Sequence, residues 1–265
     1  MKITPYVGIL EASDEQIDRW VSDAEIPPLL ATIAWVTQDT SILTEDVRPP
    51  ESRLQAVVQP QGGMSASALQ IARERCAGAL KDIRDRGLAA PVNPDPALAR
   101  HIIDYLAYSV TEDYRPALIQ ELGLFGDTVK PEWTLNEVAP GRDFSALVVG
   151  GGMSGVVAAV RLQQAGIPFI VLEKNMGIGG SWWENSYPGC RLDTSNFAYS
   201  YSFAQRSDWP SYFSAQPEIR DYFHEVANQF GVLPHFRFGA EVTAMRFDDS
   251  QATWSVDYTD STGGS

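Results

Sequence analysis

The stretch from residue 144 to residue 173 reads FSALVVGGGMSGVVAAVRLQQAGIPFIVLE and decides the fold of this chain. An apolar, β-branched run over 144–149 precedes three consecutive glycines and is typical of a buried parallel strand. Residues 153–165 predict a helix, and Gly166 ends it. A second apolar run over 168–172 predicts another buried strand. Strand, glycine turn, helix and strand within about 30 residues form a βαβ unit, so the sequence predicts an α/β domain around a parallel sheet.

Glycines at three positions of the turn after the first strand fit the pattern G-x-G-x-x-G. Gly150 permits the tight turn, Gly152 lets a pyrophosphate approach the backbone, and Gly155 lets the helix pack closely against the strand. The helix N-terminus then offers free N–H groups and a partial positive charge to the phosphates. Glu173 ends the second strand, where a carboxylate accepts hydrogen bonds from a ribose. The pattern predicts a dinucleotide site that favours FAD or NAD over NADP; an ordinary glycine turn is the alternative.

Aromatic residues are concentrated after this βαβ unit. Residues 182–213 hold 10 of the chain's 28 aromatic side chains. Large planar side chains suit the walls of a pocket around a tricyclic ring, which favours a flavin over a nicotinamide cofactor. An aromatic core beneath a long loop is the alternative interpretation.

The first 140 residues have a different pattern, with helices broken by proline-rich turns. Ser13 and Gln16 have the spacing of a capping box at the start of a helix. A longer helix is predicted from about residue 67 to residue 86, and a further helical stretch runs through 102–106, is disturbed at Pro116 and ends at Gly123. We predict that residues 1–140 form a helical packing or dimerisation domain.

The part of the chain after the aromatic tract completes the second domain. Residues 217–230 predict an amphipathic helix, and alternating runs at about 241–247 and 253–258 predict a β-hairpin. We therefore predict an α/β chain in which an all-helical N-terminal domain precedes the first part of a Rossmann-like FAD-binding domain over 141–265, built from a parallel sheet plus a β-hairpin.

Composition excludes several classes of protein. The chain has 265 residues, 44% of them hydrophobic, and a formal net charge of −14 with no basic patch, so binding to nucleic acid or to an anionic membrane is not expected. Its most apolar uncharged stretch, 144–160, is too short and too glycine-rich to span a membrane. Two distant cysteines exclude a disulfide framework and indicate a cytoplasmic protein, and the three histidines offer no metal-ligand spacing.

The tract after Glu173 carries a resemblance to a known family. Gly180-Ser181-Trp182, Asn185, Tyr187-Pro188-Gly189 and Asp193 resemble the FAD-binding segment of type I Baeyer–Villiger monooxygenases. Residues 23–30 and 138–144 are similar to the extra domain and junction of the members of that family that oxidise 4-hydroxyacetophenone. Ser181 stands where threonine is usual and keeps the hydroxyl group.

This resemblance implies roles for individual residues. The pyrophosphate and ribose would be held by Gly150, Gly152, Ser154, Gly155 and Glu173. The flavin would be lined by Gly180, Ser181 and Trp182, with Leu192, Asp193 and Tyr199 against the ring system. Val242 would contact adenine through its backbone. Asp193, the one residue assigned to catalysis, would position an arginine from another domain.

The resemblance also implies an activity. NADPH would reduce FAD, a C4a-peroxyflavin would form with O₂, and one oxygen atom would be inserted beside the carbonyl of a ketone, here an aryl ketone, to give an ester. A second glycine fingerprint, expected for the NADPH domain, does not occur in the 265 residues. We therefore expect the chain to be the N-terminal part of a longer enzyme and to be inactive alone.

Two alternatives remain open. A flavin monooxygenase that oxidises nitrogen or sulfur shares the glycine pattern, although the run from Trp182 to Gly189 argues against it. The second alternative is a non-catalytic module in which residues 1–140 mediate homodimerisation and the βαβ unit is structural.

Overall fold

The computed structural model of the protein describes residues 7–51, 60–89, 95–107, 112–196 and 198–260. The chain forms two compact units, Met1–Gly126 and Asp127–Ser265. Each unit has its own cluster of buried apolar side chains. The α/β fold class predicted from the sequence is confirmed by the parallel sheet of the second unit.

The described residues of the first unit form helices joined by turns and loops, and none of them lies in a strand. Its α-helices are α1 (Val7–Leu10), α2 (Asp14–Asp23), α3 (Ile26–Thr37), α4 (Ala66–Arg86), α5 (Pro96–Leu106) and α6 (Arg115–Glu121). The long helix α4 packs against α2 and α3. The almost completely buried side chains of this unit's core include Ile17, Leu30, Ile33, Cys76 and Ile102.

Two details of the first unit test the helix predictions. The capping box at the start of α2 is confirmed: the Gln16 N–H donates to Ser13 Oγ (3.2 Å), and the Ser13 N–H donates to Gln16 Oε1 (2.8 Å). The disturbance predicted at Pro116 is wrong. This proline lies in the first turn of α6, where a helix needs no N–H from that residue, so it helps to start a helix.

The second unit is built on a parallel sheet in the order β1 (Ala146–Val149), β2 (Phe169–Glu173) and β3 (Phe236–Phe238). Helices α7 (Leu135–Val138), α8 (Met153–Gln164), α9 (Ser181–Glu184) and α10 (Gln216–Gln229) lie between or before the strands in sequence. The antiparallel hairpin of β4 (Ala240–Asp248) and β5 (Thr253–Asp260) follows β3 directly. The predicted βαβ unit and hairpin are both present, whereas β3 was not predicted.

The register of the sheet explains where the core of this unit lies. Val148 is opposite Val171, and Val171 is opposite Phe236, so these side chains share one face of the sheet. The apolar side chains of α8 and α10 cover that face. Because β1 and β2 are parallel neighbours, their carboxyl ends meet at one edge of the sheet. This is the edge where α/β proteins bind ligands.

The division between the units lies at residue 126 in this structure, whereas the sequence predicts it at residue 140. Residues 127–140 contact the rest of the second unit. The Leu135 N–H donates to the Ala165 carbonyl (2.8 Å), and Arg161 donates to the carboxylate of Asp127. No helix within the described ranges is both long and apolar enough to cross a bilayer.

Candidate dinucleotide-binding site

The glycine turn after β1 has the geometry that its sequence predicts. Gly150 has a φ of +96°, a conformation that favours glycine, and its N–H extends the sheet by donating to the Leu172 carbonyl (2.8 Å). Gly152 caps α8 and has no side chain with which to bond the first N–H groups of the helix. These N–H groups lie at the positive end of the helix dipole and are available to an anion.

Two close backbone contacts require glycine in this region. A Cβ atom on Gly155 would collide with the carbonyl oxygen of Gly150, so the third glycine lets α8 pack against the turn. Gly180, at the start of α9, has a φ of +54°, and a Cβ there would lie 2.9 Å from the Cα of Gly152. The two glycine segments are joined by a hydrogen bond from the Gly179 N–H to the Gly151 carbonyl (3.1 Å).

A cleft of about 360 Å³ opens at the carboxyl end of the sheet. The ends of β1 and β2, the glycine turn, the start of α9 and the start of β4 form its walls. Its lining residues are Val149, Gly150, Gly152, Leu172, Glu173, Lys174, Asn175, Gly180, Ser181, Glu184, Ala240, Glu241 and Val242.

Glu173 is the buried acid of this cleft, with only 3% of its surface exposed. One carboxylate oxygen accepts a hydrogen bond from the Gly151 N–H (2.5 Å), and the other accepts one from the Asn175 N–H (2.7 Å). These backbone donors compensate for the burial of the carboxylate. Each oxygen keeps a further lone pair, so the group can still accept a hydrogen bond from a ligand hydroxyl.

The structure brings together half of the residues singled out from the sequence. The predicted residues that line the cleft are Gly150, Gly152, Glu173, Gly180, Ser181 and Val242. Ser154 is exposed in the first turn of α8, and Gly155 lies buried beside the turn.

The other predicted residues lie outside the lining of the cleft. Trp182 packs on the core of the unit and donates from Nε1 to the Tyr199 hydroxyl (3.0 Å). Leu192 belongs to the same core. Asp193 is exposed, and its carboxylate accepts a hydrogen bond from the Thr194 hydroxyl (3.3 Å). The roles predicted for these side chains beside a flavin stay predictions.

The aromatic tract forms part of the core, the alternative that composition left open. Tyr201 is buried, and its hydroxyl donates to the carbonyl of Met153 at the start of α8 (2.6 Å). The Tyr222 hydroxyl accepts a hydrogen bond from the Tyr201 N–H (2.8 Å) and donates to the Ala204 carbonyl (2.9 Å). Burial raises the pKa of Tyr222 to about 12. Tyr201 thus contacts the start of the helix that follows the glycine turn, whereas Trp183 and Tyr187 of the aromatic tract are exposed.

Sequence reasoning missed an ion pair in the cleft. The Lys174 ammonium lies 2.8 Å from a carboxylate oxygen of Glu184, and the Asn175 side-chain amide donates to the same oxygen (3.3 Å). The hydrogen bond with Glu184 raises the pKa of Lys174, and the same bond lowers the pKa of Glu184. In the sequence, only the positions of the two residues could have indicated this pair. Lys174 directly follows Glu173, and Glu184 directly follows the Trp pair.

Comparison with known proteins connects this site to a family. Residues 148–226 match the family described as an NAD(P)-binding Rossmann-like domain. An uncharacterized monooxygenase, y4iD of Sinorhizobium fredii, is 32% identical over 243 residues, which cover 90% of this chain and 35% of the relative. A Baeyer–Villiger monooxygenase of Streptomyces coelicolor is 47% identical over 111 residues, 42% of this chain and 21% of the relative.

Solved structures of similar sequence include a steroid monooxygenase bound to NADP. It is 34% identical, covers 44% of this chain and 23% of its own, and superposes with a TM-score of 0.42. The chain thus spans between about a fifth and a third of the length of the curated relatives it matches. These matches show that the chain is similar in sequence to Baeyer–Villiger monooxygenases and to proteins named FAD-binding monooxygenases.

Proposed function

We propose that the cleft binds the ADP half of FAD and that the whole protein is an FAD- and NADPH-dependent Baeyer–Villiger monooxygenase. One observation carries this proposal: the uncapped N-terminus of α8 and the buried carboxylate of Glu173 face the same cleft at the carboxyl end of the sheet. The named activities of the relatives support the choice of FAD, since they include Baeyer–Villiger and FAD-binding monooxygenases.

The residues present fit a dinucleotide. A side chain at Gly152 would approach Gly180, and the absence of one leaves the N–H groups at the start of α8 open to a diphosphate. Glu173 accepts hydrogen bonds with both oxygens and suits a ribose with a free 2′-hydroxyl. Val242, on the opposite wall, would contact the adenine. When bound, FAD supplies the activation of O₂ with electrons from NADPH, and these residues bind and orient it.

The flavin ring would extend from the diphosphate towards α9 and the segment that follows it. Gly180 and Ser181 line the cleft at this end, and Trp182 and Tyr199 form a hydrogen-bonded pair behind them. Asp193 is exposed, so its carboxylate is accessible to an arginine from elsewhere in the whole protein. We assign it the positioning of that arginine.

The finer parts of the proposal concern the substrate and the assembly. Aryl ketones are the proposed substrates with O₂, because residues 23–30 and 138–144 resemble the family members that oxidise 4-hydroxyacetophenone. Residues 1–140 are the proposed homodimer contact.

The proposed location is the cytoplasm. Cys76 and Cys190 are free and buried, which agrees with a reducing compartment.

Cofactor binding tests the first part of the proposal. Titration calorimetry should show that the 265-residue chain binds FAD and ADP. Gly152→Val should abolish this binding because the new side chain fills the approach to the turn. Gly78→Val is the matched control and should bind like the wild type, since Gly78 lies exposed in α4 and a Cβ atom there would have no neighbouring atom within 4 Å. Failure of the wild-type chain to bind either nucleotide would leave the interaction-module alternative.

Product analysis tests the second part. The whole protein with NADPH should convert acetophenone into the ester phenyl acetate, whereas the 265 residues alone should give no turnover. Formation of an N-oxide or S-oxide from an amine or sulfide, without any ester from the ketone, would favour the nitrogen- or sulfur-oxidising alternative.

A further inference from the structure

Lys174 is the one cationic side chain that lines the cleft within the described residues. It shares the walls with the carboxylates of Glu173, Glu184 and Glu241. Glu173 already accepts hydrogen bonds from backbone N–H groups. The charge that a ligand meets in the cleft therefore depends on which carboxylate Lys174 is paired with.

The structure shows that Lys174 is paired with Glu184. Its ammonium lies 2.8 Å from the Glu184 carboxylate, which comes from the last residue of α9 on another wall of the cleft. The Asn175 amide donates to the same carboxylate oxygen and helps to hold it there. Because the two side chains are 55% and 45% exposed, the pair is weak enough for a single substitution to release the lysine.

The position of Lys174 gives this pairing a consequence for ligand choice. Nucleotide sites that accept a 2′-phosphate place a cation near the end of the second strand, where sites for a free 2′-hydroxyl have an acid. Lys174 follows that acid directly in the sequence. Without Glu184 it would be the group best placed to bind a 2′-phosphate.

We propose that Glu184 is a specificity-determining residue: by pairing with Lys174 it weakens the binding of 2′-phosphorylated adenine nucleotides to the cleft. This inference rests on the proposed function, which requires the chain to discriminate between two nucleotide cofactors. A protein that uses both FAD and NADPH must prevent NADPH from occupying the flavin site. A carboxylate beside the lysine contributes to this discrimination because it reduces the attraction for a 2′-phosphate and leaves the binding of a free 2′-hydroxyl unchanged.

Binding of two nucleotides that differ only in the 2′-phosphate tests the proposal. Titration calorimetry would compare ADP with its 2′-phosphorylated counterpart on the wild type and on Glu184→Gln. The wild type should prefer ADP. Glu184→Gln should bind the 2′-phosphorylated nucleotide roughly threefold to fivefold more tightly and ADP within about twofold of the wild type. The gain should shrink at about 1 M salt, where charge effects are screened.

Two further variants separate this effect from a structural one. The double variant Lys174→Gln with Glu184→Gln should not bind the 2′-phosphorylated nucleotide more tightly than the wild type, because the cation that binds the 2′-phosphate is then absent. Glu225→Gln is the matched control, since Glu225 lies on α10, outside the cleft lining, with a carboxylate oxygen 3.4 Å from Arg206, and it should discriminate like the wild type.

The outcomes are distinguishable. If Glu184→Gln binds ADP normally and discriminates as the wild type does, the role given to Glu184 is wrong while the nucleotide site stands. If the wild type binds neither nucleotide, the proposed function fails and this inference fails with it.

Discussion

At the scale of single residues, Gly155 links the packing of the βαβ unit to its proposed chemistry. It stands two residues inside α8, where a Cβ atom would meet the carbonyl oxygen of Gly150. The contact fixes how closely the helix approaches the turn, and so where the N–H groups of the helix N-terminus lie relative to the cleft. A substitution here should therefore affect both stability and binding.

We expect Gly155→Ala to destabilise the second unit by about 1–3 kcal/mol, since the added methyl group must displace backbone. Urea unfolding followed by circular dichroism would measure the loss, and calorimetry would show weaker ADP binding. Gly78→Ala makes the same chemical change at an exposed helical position with open space around it. That variant should be more stable by up to about 1 kcal/mol, because alanine favours a helix more than glycine does. Equal effects of the two variants would contradict the importance of the close contact.

Cys76 provides a second residue-scale prediction, this time in pH. It is fully buried in α4, and desolvation raises its pKa to about 12. In the unfolded chain the thiol ionises near pH 9. Above that pH the unfolded state has lost a proton that the folded state keeps, so the free energy of unfolding should fall as pH rises and should be unaffected below about pH 8.

The expected slope is up to about 1.4 kcal/mol per pH unit between roughly pH 9 and pH 10, before the tyrosines ionise. Urea midpoints at several pH values would measure it. Cys76→Ala should lower the stability at neutral pH because it leaves a small cavity, but it should remove this contribution to the slope. The same slope in the variant would show that another group is responsible.

The sequence was most informative where the backbone itself forms the site. Gly150, Gly152 and Gly180 could be predicted because they belong to recognisable glycine motifs, in which Gly150 and Gly180 have positive φ angles that favour glycine. Glu173 could be predicted because its place at the end of a strand fixes its location. The pairing of Lys174 with Glu184 could not be predicted. It depends on where a four-residue helix sits and on the rotamers of two long side chains, neither of which has a periodic signal.

At the scale of elements, length decided what could be predicted. The helices α4, α8 and α10 have long amphipathic patterns, and their bounds differ from the predicted ones by only a residue. The three-residue strand β3 was missed because Phe236 to Phe238 is too short to show alternation and follows a proline turn. Its place beside β2 is set by the packing of α10 and the aromatic core, which is tertiary information.

The aromatic tract shows why composition alone could not choose between a core and a pocket wall. Tyr201 and Tyr222 are buried and bonded to backbone carbonyls, whereas Tyr187 and Tyr212 of neighbouring turns are exposed. All of them have the same side chain. The difference follows from the path of the chain over α8 and α10. The core interpretation therefore applies to Tyr201, and the pocket-wall interpretation stays a prediction for the exposed members of the tract.

At the scale of the whole molecule, the division into two units can be tested with truncated chains. Residues 127–140 contact the second unit through Leu135 and through the ion pair of Asp127 with Arg161. Both side chains of that pair are about four-fifths buried, so the loss of Asp127 leaves the Arg161 guanidinium without its carboxylate partner, and Gln164 alone cannot balance the charge. We expect residues 127–265 to fold cooperatively and residues 141–265 to be less stable by about 1–3 kcal/mol or more.

Thermal unfolding of the two truncated chains would measure this difference, and Asp127→Asn within the longer one would isolate the ion pair. The asparagine still accepts a hydrogen bond but carries no charge, so its stability should fall between those of the two chains. Cleavage at residue 140 removes the charge of Asp127 and the backbone hydrogen bond of Leu135 together. If residues 141–265 melted at the same temperature as residues 127–265, these contacts would contribute nothing to the stability of the second unit. The boundary expected from the sequence at residue 140 would then describe the folding unit better than the boundary at residue 126.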